Sequence, residues 1–231
     1  MSNTLTNLYD RQSSLALTSY PFAIVLGLGG IGSWVALNLA LSGKVQQLHL
    51  VDPDIVEDSN LNRTPFRMCD IGYPKVDAVK FIILERRPMV VKAYPIKTDD
   101  DMAKQMRQDI DELYPIENGL IIDCRDDIYR DFYEYPCKYY KVGYDGTELT
   151  IDGNPKDTPV WGEADGYRVT PSFICPSQLA ANLVCSDALL YHGAQRASKN
   201  WTKDTHNRLN MAMSFDTNNF LRDLSKIYGG Q

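Results

Sequence analysis

This 231-residue chain is predicted to fold as an α/β domain around a doubly wound, mainly parallel sheet with a mixed, antiparallel C-terminal part. Three observations predict it. An apolar run passes through a glycine turn straight into a helix, strand and helix signals then alternate as far as residue 124, and the alternation stops after Arg125. The first run, Phe22-Ala23-Ile24-Val25-Leu26, is apolar and reads as a strand. Gly27-Leu28-Gly29-Gly30-Ile31-Gly32-Ser33 is the turn, Trp34 to Leu41 reads as a helix, and Ser42-Gly43 closes it. Gln47 to Asp52 is a second strand ending on an acid, followed by a long polar loop over 53–74. Lys75 to Arg87 carries Val76, Val79, Ile82 and Ile83 at helical spacing, and Pro88 stops it. Val90 to Tyr94 is a third strand. Asp99, Asp100 and Asp101 supply an N-cap and dipole-favoured charge for a helix to about Tyr114. Gly119 to Cys124 is a fourth strand. Beyond it, Tyr139 to Tyr144 and Glu148 to Asp152 read as short strands about a turn at Asp145-Gly146, with a Gly/Pro/Asp-rich loop over 152–166. Ser177 to His192 reads as a helix, and 205–228 as another. Neither an internal repeat nor a linker rich in Pro or Ser divides the chain, so one domain is expected over 1–231.

Composition narrows the function classes. With 44% hydrophobic and 23% charged residues the chain is an ordinary globular protein, and its formal charge of -6 argues against a general nucleic-acid binder. Apolar runs stay well short of the ~20 residues of a membrane span, and Met1 to Asn7 is too polar for a signal peptide. Cys69, Cys124, Cys137, Cys175 and Cys185 are odd in number and form no C-x-x-C pair, which argues against a disulfide framework and a zinc site of paired cysteines. The expected compartment is cytoplasmic.

Gly27, Gly29 and Gly32 stand at G-x-G-x-x-G spacing. A tight turn, close approach of backbone to ligand and close packing of helix on strand each require a residue without a Cβ, and the helix N-terminus favours a phosphate. Dehydrogenases, flavoproteins, methyltransferases and several ATP-using enzymes share that pattern. Asp52 follows Gly32 by 20 residues, where a carboxylate can accept both hydroxyls of a ribose. This fits NAD and ATP equally, and the plainer alternative is a turn residue closing the strand. The choice comes from Asp52-Pro53-Asp54, then Asn60-Leu61-Asn62-Arg63, then Pro74-Lys75, then Asp123-Cys124-Arg125-Asp126.

On those residues the chain resembles the ThiF/MoeB family and the adenylation domain of ubiquitin-activating enzymes. The family pattern runs G-x-G-G-x-G, D-x-D after strand two, N-x-x-R in the loop, Lys opening the next helix, and D-C-x-D after strand four. All five elements occur here in order, and Tyr9-Asp10-Arg11-Gln12 is similar to the family's N-terminal Y-x-R-Q. The resemblance is strong over about residues 9–130 and weaker through Cys175 to His192. It implies a Rossmann-like, ThiF-type adenylation domain with an N-terminal arm (1–20), a nucleotide-binding half (22–130) and an acceptor and dimer half (131–231). It also implies ATP and Mg²⁺ as cofactors and a homodimer. The activity implied is adenylation of the C-terminal carboxylate of a ubiquitin-like or sulfur-carrier protein ending in Gly-Gly, with release of pyrophosphate.

The implied roles suit the side chains. A carboxylate attacking the α-phosphate of a polyanion needs cations to offset like charge. Lys75 is a compact cation at a helix start, and Arg63 has the planar fork that grips phosphate. Asp126 suits Mg²⁺, which takes one or two carboxylates beside phosphates and waters. Asn60 can bond phosphate or position the loop. Gly27, Gly29, Gly30, Gly32, Asp52 and Asp54 are expected to bind the nucleotide, with Asp54 near the reacting phosphate. Arg11 is expected to reach the ATP site of a neighbouring subunit. Singly, each loop charge is ordinarily a solvated one; the ordered set gives them weight.

The chain departs from the family in places. Thr64 stands where many members carry Gln, and Asp127 where many carry Asn. The paired zinc cysteines of many bacterial members are missing, so no zinc is carried over. Cys137 and Cys175 are candidates to receive an activated substrate, Cys175 because a thiolate at a helix mouth is stabilised. The tail Tyr228-Gly229-Gly230-Gln231 reads as a frayed helix end. Three alternatives remain open: the same chemistry on a peptide or tRNA-borne carboxylate, a non-catalytic nucleotide-binding partner subunit, and an NAD(P) oxidoreductase, for which no catalytic dyad is visible.

Overall fold

A computed structural model describes residues 7–126, 132, 135–144, 149–152 and 172–190. The strands are β1 (Tyr20–Leu26), β2 (Val45–Val51), β3 (Val90–Tyr94), β4 (Leu120–Asp123), β5 (Lys138–Tyr144) and β6 (Leu149–Asp152). The helices are α1 (Gly32–Ser42), α2 (Lys75–Leu84), α3 (Asp100–Asp111) and α4 (Ile174–Leu189). One six-stranded sheet has the order β3-β2-β1-β4-β5-β6. The five strands β1 to β5 are parallel and β6 closes the edge antiparallel to β5. This is the doubly wound α/β architecture with an antiparallel C-terminal edge that the sequence predicts.

Both faces of the sheet are covered, which is why β1 is apolar throughout. Ala23 and Val25 join a core shared with α1, α2 and α4, while Phe22, Ile24 and Leu26 pack with Met106 and Ile110 of α3 and with Phe132 and Tyr135. The strand order reverses at β1, whose neighbours are β2 and β4. Ligands of open α/β sheets bind outside the carboxyl ends of the strands at such a point.

Element ends moved where tertiary contacts outweighed local signals. β1 starts at Tyr20 and β2 at Val45 because those two residues pair and the Tyr20 N–H donates to Lys44 O at 2.7 Å. α2 stops at Leu84 instead of Arg87. The Arg86 and Arg87 amides both donate to Ile83 O, and the Arg87 guanidinium reaches Ala40 O at 2.7 Å. α4 occupies 174–189 instead of 177–192. Pro176 falls in its first turn, where a missing N–H costs nothing. At the far end Leu190 leaves the helix to bridge Leu17. Asp99 caps α3 as expected, accepting from Met102 N–H at 2.7 Å. The polar loop 53–74 contains two short helical turns, Asp58–Asn60 and Met68–Asp70, and its ends meet in a bridge between Ile55 and Pro74. The expected turn at Asp145-Gly146, the loop 152–166 beyond Asp152 and the helix 205–228 lie outside the described residues.

His49 is fully enclosed between Gln47 and Tyr94 on β2 and β3. Burial, helped by the charge of Lys92 and opposed by Asp109, lowers its pKa to about 4. Since the folded value lies below the unfolded one, stability from a neutral His49 is complete above about pH 6.5 and is lost progressively as pH falls from there to about 4. Denaturant titrations at about pH 7.5 and about pH 5 should differ by about 2 kcal/mol more in the native protein than in His49→Phe. Equal pH dependence in the two would contradict this origin.

Candidate active site

The glycine turn leaves β1 at Gly27, whose φ of +79° is the left-handed conformation that glycine adopts without strain. A Cβ there would lie 3.0 Å from the Arg125 nitrogen, so the turn after β1 touches the chain leaving β4. A Cβ on Gly32 would lie 1.7 Å from the Gly27 carbonyl oxygen, which forbids any side chain where α1 begins. Among the described residues nothing lies within 4 Å of a Cβ placed on Gly29, which faces open space there. A Cβ on Gly30 would lie 2.9 Å from the Tyr144 hydroxyl, 3.3 Å from the Ser177 Cβ and 3.5 Å from the Arg63 Cδ.

Asp52, immediately after β2, is buried, and Leu28 N–H donates to its Oδ2 at 2.5 Å while Asp54 N–H donates to its Oδ1 at 2.9 Å. It ties the glycine turn to the next loop. Burial pushes its carboxyl above the ordinary value, and Lys75 with the two amides opposes the shift only in part. Each carboxylate oxygen has a second lone pair, so these bonds leave acceptor capacity for a ligand hydroxyl. Lys75 opens α2, with Nζ 2.8 Å from Asp54 Oδ2 and 3.9 Å from Asp52 Oδ1. The structure thus brings Asp52, Asp54 and Lys75 into one group at the base of the glycine turn.

Arg63 lies alongside Gly30, its Nη1 donating to Ser59 O at 2.5 Å and Asn62 Oδ1 at 3.1 Å. Its carbonyl accepts from Trp34 Nε1 of α1 at 3.0 Å and Ser177 Oγ of α4 at 3.3 Å, so two helices fix that stretch of loop. Asn60 is buried, and its Oδ1 accepts from Glu57 N–H at 3.0 Å, which holds the loop. Thr64 is buried too and donates to Asn60 O at 2.8 Å. Asp126 is exposed three residues past the last residue of β4. Arg11 is not brought to this group. Its turn is attached to the opposite end of α1, where Gln12 Nε2 donates to Ser42 O at 2.6 Å. A helix length, about 16 Å, separates that end from the glycine turn. Asp127 lies outside the described residues.

A buried ionic group beside the turn was not foreseen from the sequence. Asp123 is fully buried and ion-paired with Arg125 at 2.6 Å and Lys141 at 3.3 Å, and it accepts from Tyr139 Oη at 2.8 Å. Burial alone would raise its pKa; hydrogen bonds from Arg125 and the charges of Arg125 and Lys141 outweigh that and hold it below the ordinary value. One signal was available: a lysine among the apolar residues of a central strand requires a buried partner.

The model of the ThiF family matches residues 4–137, which contain every motif above. The chain belongs to the ThiF family. Among curated relatives, "Adenylyltransferase and sulfurtransferase UBA4" of Scheffersomyces stipitis is 34% identical over 45% of this chain and 22% of its own length. The NEDD8-activating enzyme E1 catalytic subunit of Saccharomyces cerevisiae is 41% identical over 29% of this chain and 23% of its own. The tRNA threonylcarbamoyladenosine dehydratase of Bacillus subtilis is 45% identical over 28% of this chain and 25% of its own. The matched stretches thus span about a quarter or less of these relatives. Among solved structures, PaaA aligns with TM-score 0.54 and 25% identity over 78% of this chain and 56% of that one. Escherichia coli MccB aligns with TM-score 0.57 and 21% identity over 81% and 62%, a likeness of fold.

The cysteines of this ThiF-family chain differ in access. Burial pushes the Cys137 thiol up to about 12, and its Sγ lies 2.9 Å from Ile116 O. Cys185, enclosed in α4, is likewise pushed up to about 12, and Cys124 is raised by burial. Cys175, in the first turn of α4, and Cys69 are exposed. Of the two acceptor candidates, Cys137 lacks thiolate character near neutral pH. Brief alkylation of the native protein, read by peptide mass spectrometry, should label Cys69 and Cys175 at least about tenfold faster than Cys137 and Cys185. Fast labelling of Cys137 would contradict its environment.

Proposed function

We propose that this protein is an ATP-dependent adenylyltransferase that activates the C-terminal carboxylate of a ubiquitin-like or sulfur-carrier protein. The observation that carries the reading is the grouping of the open Gly29 backbone, Arg63, the Asp52–Lys75–Asp54 group and the loop bearing Asp126 around the carboxyl ends of β1, β2 and β4. Membership of the ThiF family and relatives named as an adenylyltransferase and an activating enzyme support the same chemistry.

The residues fit the groups the reaction needs. Gly29 leaves the space a phosphate requires, and a backbone without Cβ lets amides approach it. Among the described residues no group of three His, Cys, Asp or Glu is arranged around a metal. Mg²⁺ does not need one, because it takes one or two carboxylates beside phosphates and waters, and Asp126 would be the carboxylate to hold it. When bound, Mg²⁺ supplies positive charge to the phosphate oxygens. Asp52 holds the ribose, Lys75 exchanges its Asp54 partner for α-phosphate oxygen, and Arg63 grips the phosphates. An oxygen of the acceptor carboxylate then bonds to the α-phosphorus. The bond from that phosphorus to the bridging oxygen breaks, and pyrophosphate departs with the electron pair. Lys75 and Arg63 offset the charge gathered at the phosphorus.

Arg11 lies too far along α1 to serve its own chain's site, which supports a homodimer in which each arm completes the neighbour's site. A second reading, a tRNA-borne carboxylate, is favoured by the likeness to the tRNA-modifying relative, while the net charge of -6 opposes it. Among the described residues no helix is long and apolar enough to cross a membrane.

Pyrophosphate exchange distinguishes these readings. Exchange that requires a protein ending in Gly-Gly supports the first acceptor, and exchange that requires tRNA supports the second. ATP binding without exchange under either acceptor would falsify turnover and leave a nucleotide-binding partner subunit. Asp126→Ala should lower exchange by about a hundredfold or more with an unchanged melting temperature. Gly29→Ala should fold normally, because its Cβ meets none of the described residues within 4 Å, yet bind ATP at least about tenfold more weakly. Undiminished ATP binding by Gly29→Ala would remove the turn from the phosphate site.

A further inference from the structure

The buried ionic group beside the glycine turn has a geometry that goes beyond packing. Asp123 grips the start of the outgoing chain, accepting from the Arg125 backbone N–H at 3.0 Å and from Arg125 Nε at 3.0 Å. The Arg125 guanidinium also donates to Thr98 Oγ1 at 2.5 Å, beyond β3, and lies over the Phe132 ring at 5.9 Å. From the other side, Lys141 Nζ of β5 donates to the Arg125 carbonyl oxygen at 2.5 Å. That carbonyl belongs to the peptide unit whose nitrogen is Asp126. The unit is planar, so fixing its oxygen fixes the direction in which the Asp126 Cα leaves. The Arg125 nitrogen also abuts Gly27, which references this direction to the phosphate turn.

We propose that Asp123, Arg125 and Lys141 are positioning residues that set Asp126 for a divalent cation bound with the nucleotide. The inference rests on the adenylation reading. A plain structural account would need the charges only to neutralise one another, whereas Lys141 also holds a backbone carbonyl. Lys141 adds a cation whose 2.5 Å bond is to the Arg125 carbonyl, with the Asp123 carboxylate farther away at 3.3 Å. Outer-shell partners of this kind typically alter metal affinity by about tenfold or more.

The test uses the full chain in excess over a non-hydrolysable ATP analogue, with Mn²⁺ standing in for Mg²⁺ and free Mn²⁺ counted by electron paramagnetic resonance. Lys141→Met retains the Asp123–Arg125 pair and should weaken Mn²⁺ binding about tenfold, with metal-free binding of the analogue unchanged. Thr98→Val, a near-isosteric change that removes an acceptor of the Arg125 guanidinium, should weaken Mn²⁺ binding in the same direction by about two- to threefold. It answers the question if Lys141→Met fails to fold. Asp126→Ala should abolish the protein's contribution to Mn²⁺ affinity. A lower melting temperature with unaltered Mn²⁺ affinity in the folded variants would reduce the group to a structural one and overturn the proposal. Failure of the unsubstituted protein to bind the analogue would instead overturn the adenylation reading, and this inference with it.

Discussion

Between Gly27 and Gly32 the backbone turns so closely on itself that a methyl group on Gly32 would fall 1.7 Å from the Gly27 carbonyl oxygen. This contact seats the start of α1 on the end of β1, and much of the remaining structure follows from it. With α1 fixed there, Trp34 can hold the Arg63 carbonyl, and the open backbone of Gly29 faces outward. The turn is secured from three sides: the Gly27 amide donates to Val51 O, the Leu28 amide to Asp52, and Gly27 abuts Arg125. Strands β1, β2 and β4 are thereby locked together at the end where the topology leaves a crevice.

Charge is unevenly buried around that crevice. Asp52 and Lys75 are enclosed, as are Asp123 and Lys141, while Asp54 and Asp126 are exposed. Removing one member of a buried pair typically costs about 3–5 kcal/mol because its partner is left uncompensated. Buried charges of this kind are poor contributors to net stability, yet they tolerate little movement. They make a rigid base beneath exposed groups that are available to a ligand.

Much of the fold was legible locally. The apolar run of β1, the Asp99 cap of α3 and the Gly43 terminus of α1 each rest on interactions within a few residues, and a linear reading finds them. The start of α4 is not legible locally, because Pro176 signals a helix boundary although the first turn of a helix accepts proline. The ends of β1 and α4 depend on Tyr20 pairing with Val45 and Leu17 with Leu190, contacts between distant parts of the chain. The candidate site divides similarly. Asn60 was read as a residue that bonds phosphate or positions the loop, and its side chain is engaged in holding the loop.

The order of motifs along the chain determined the family and the residues worth watching, because glycine spacing and charge type are properties of the sequence itself. Tertiary structure alone decided which of them meet. It set Lys75 between Asp52 and Asp54, carried Arg11 to the far end of α1, and brought Lys141 from β5 to the peptide that precedes Asp126. The reason is the parallel sheet: its crossovers place the ends of strands dozens of residues apart side by side, and hydrogen bonds between those ends obey distance in space alone.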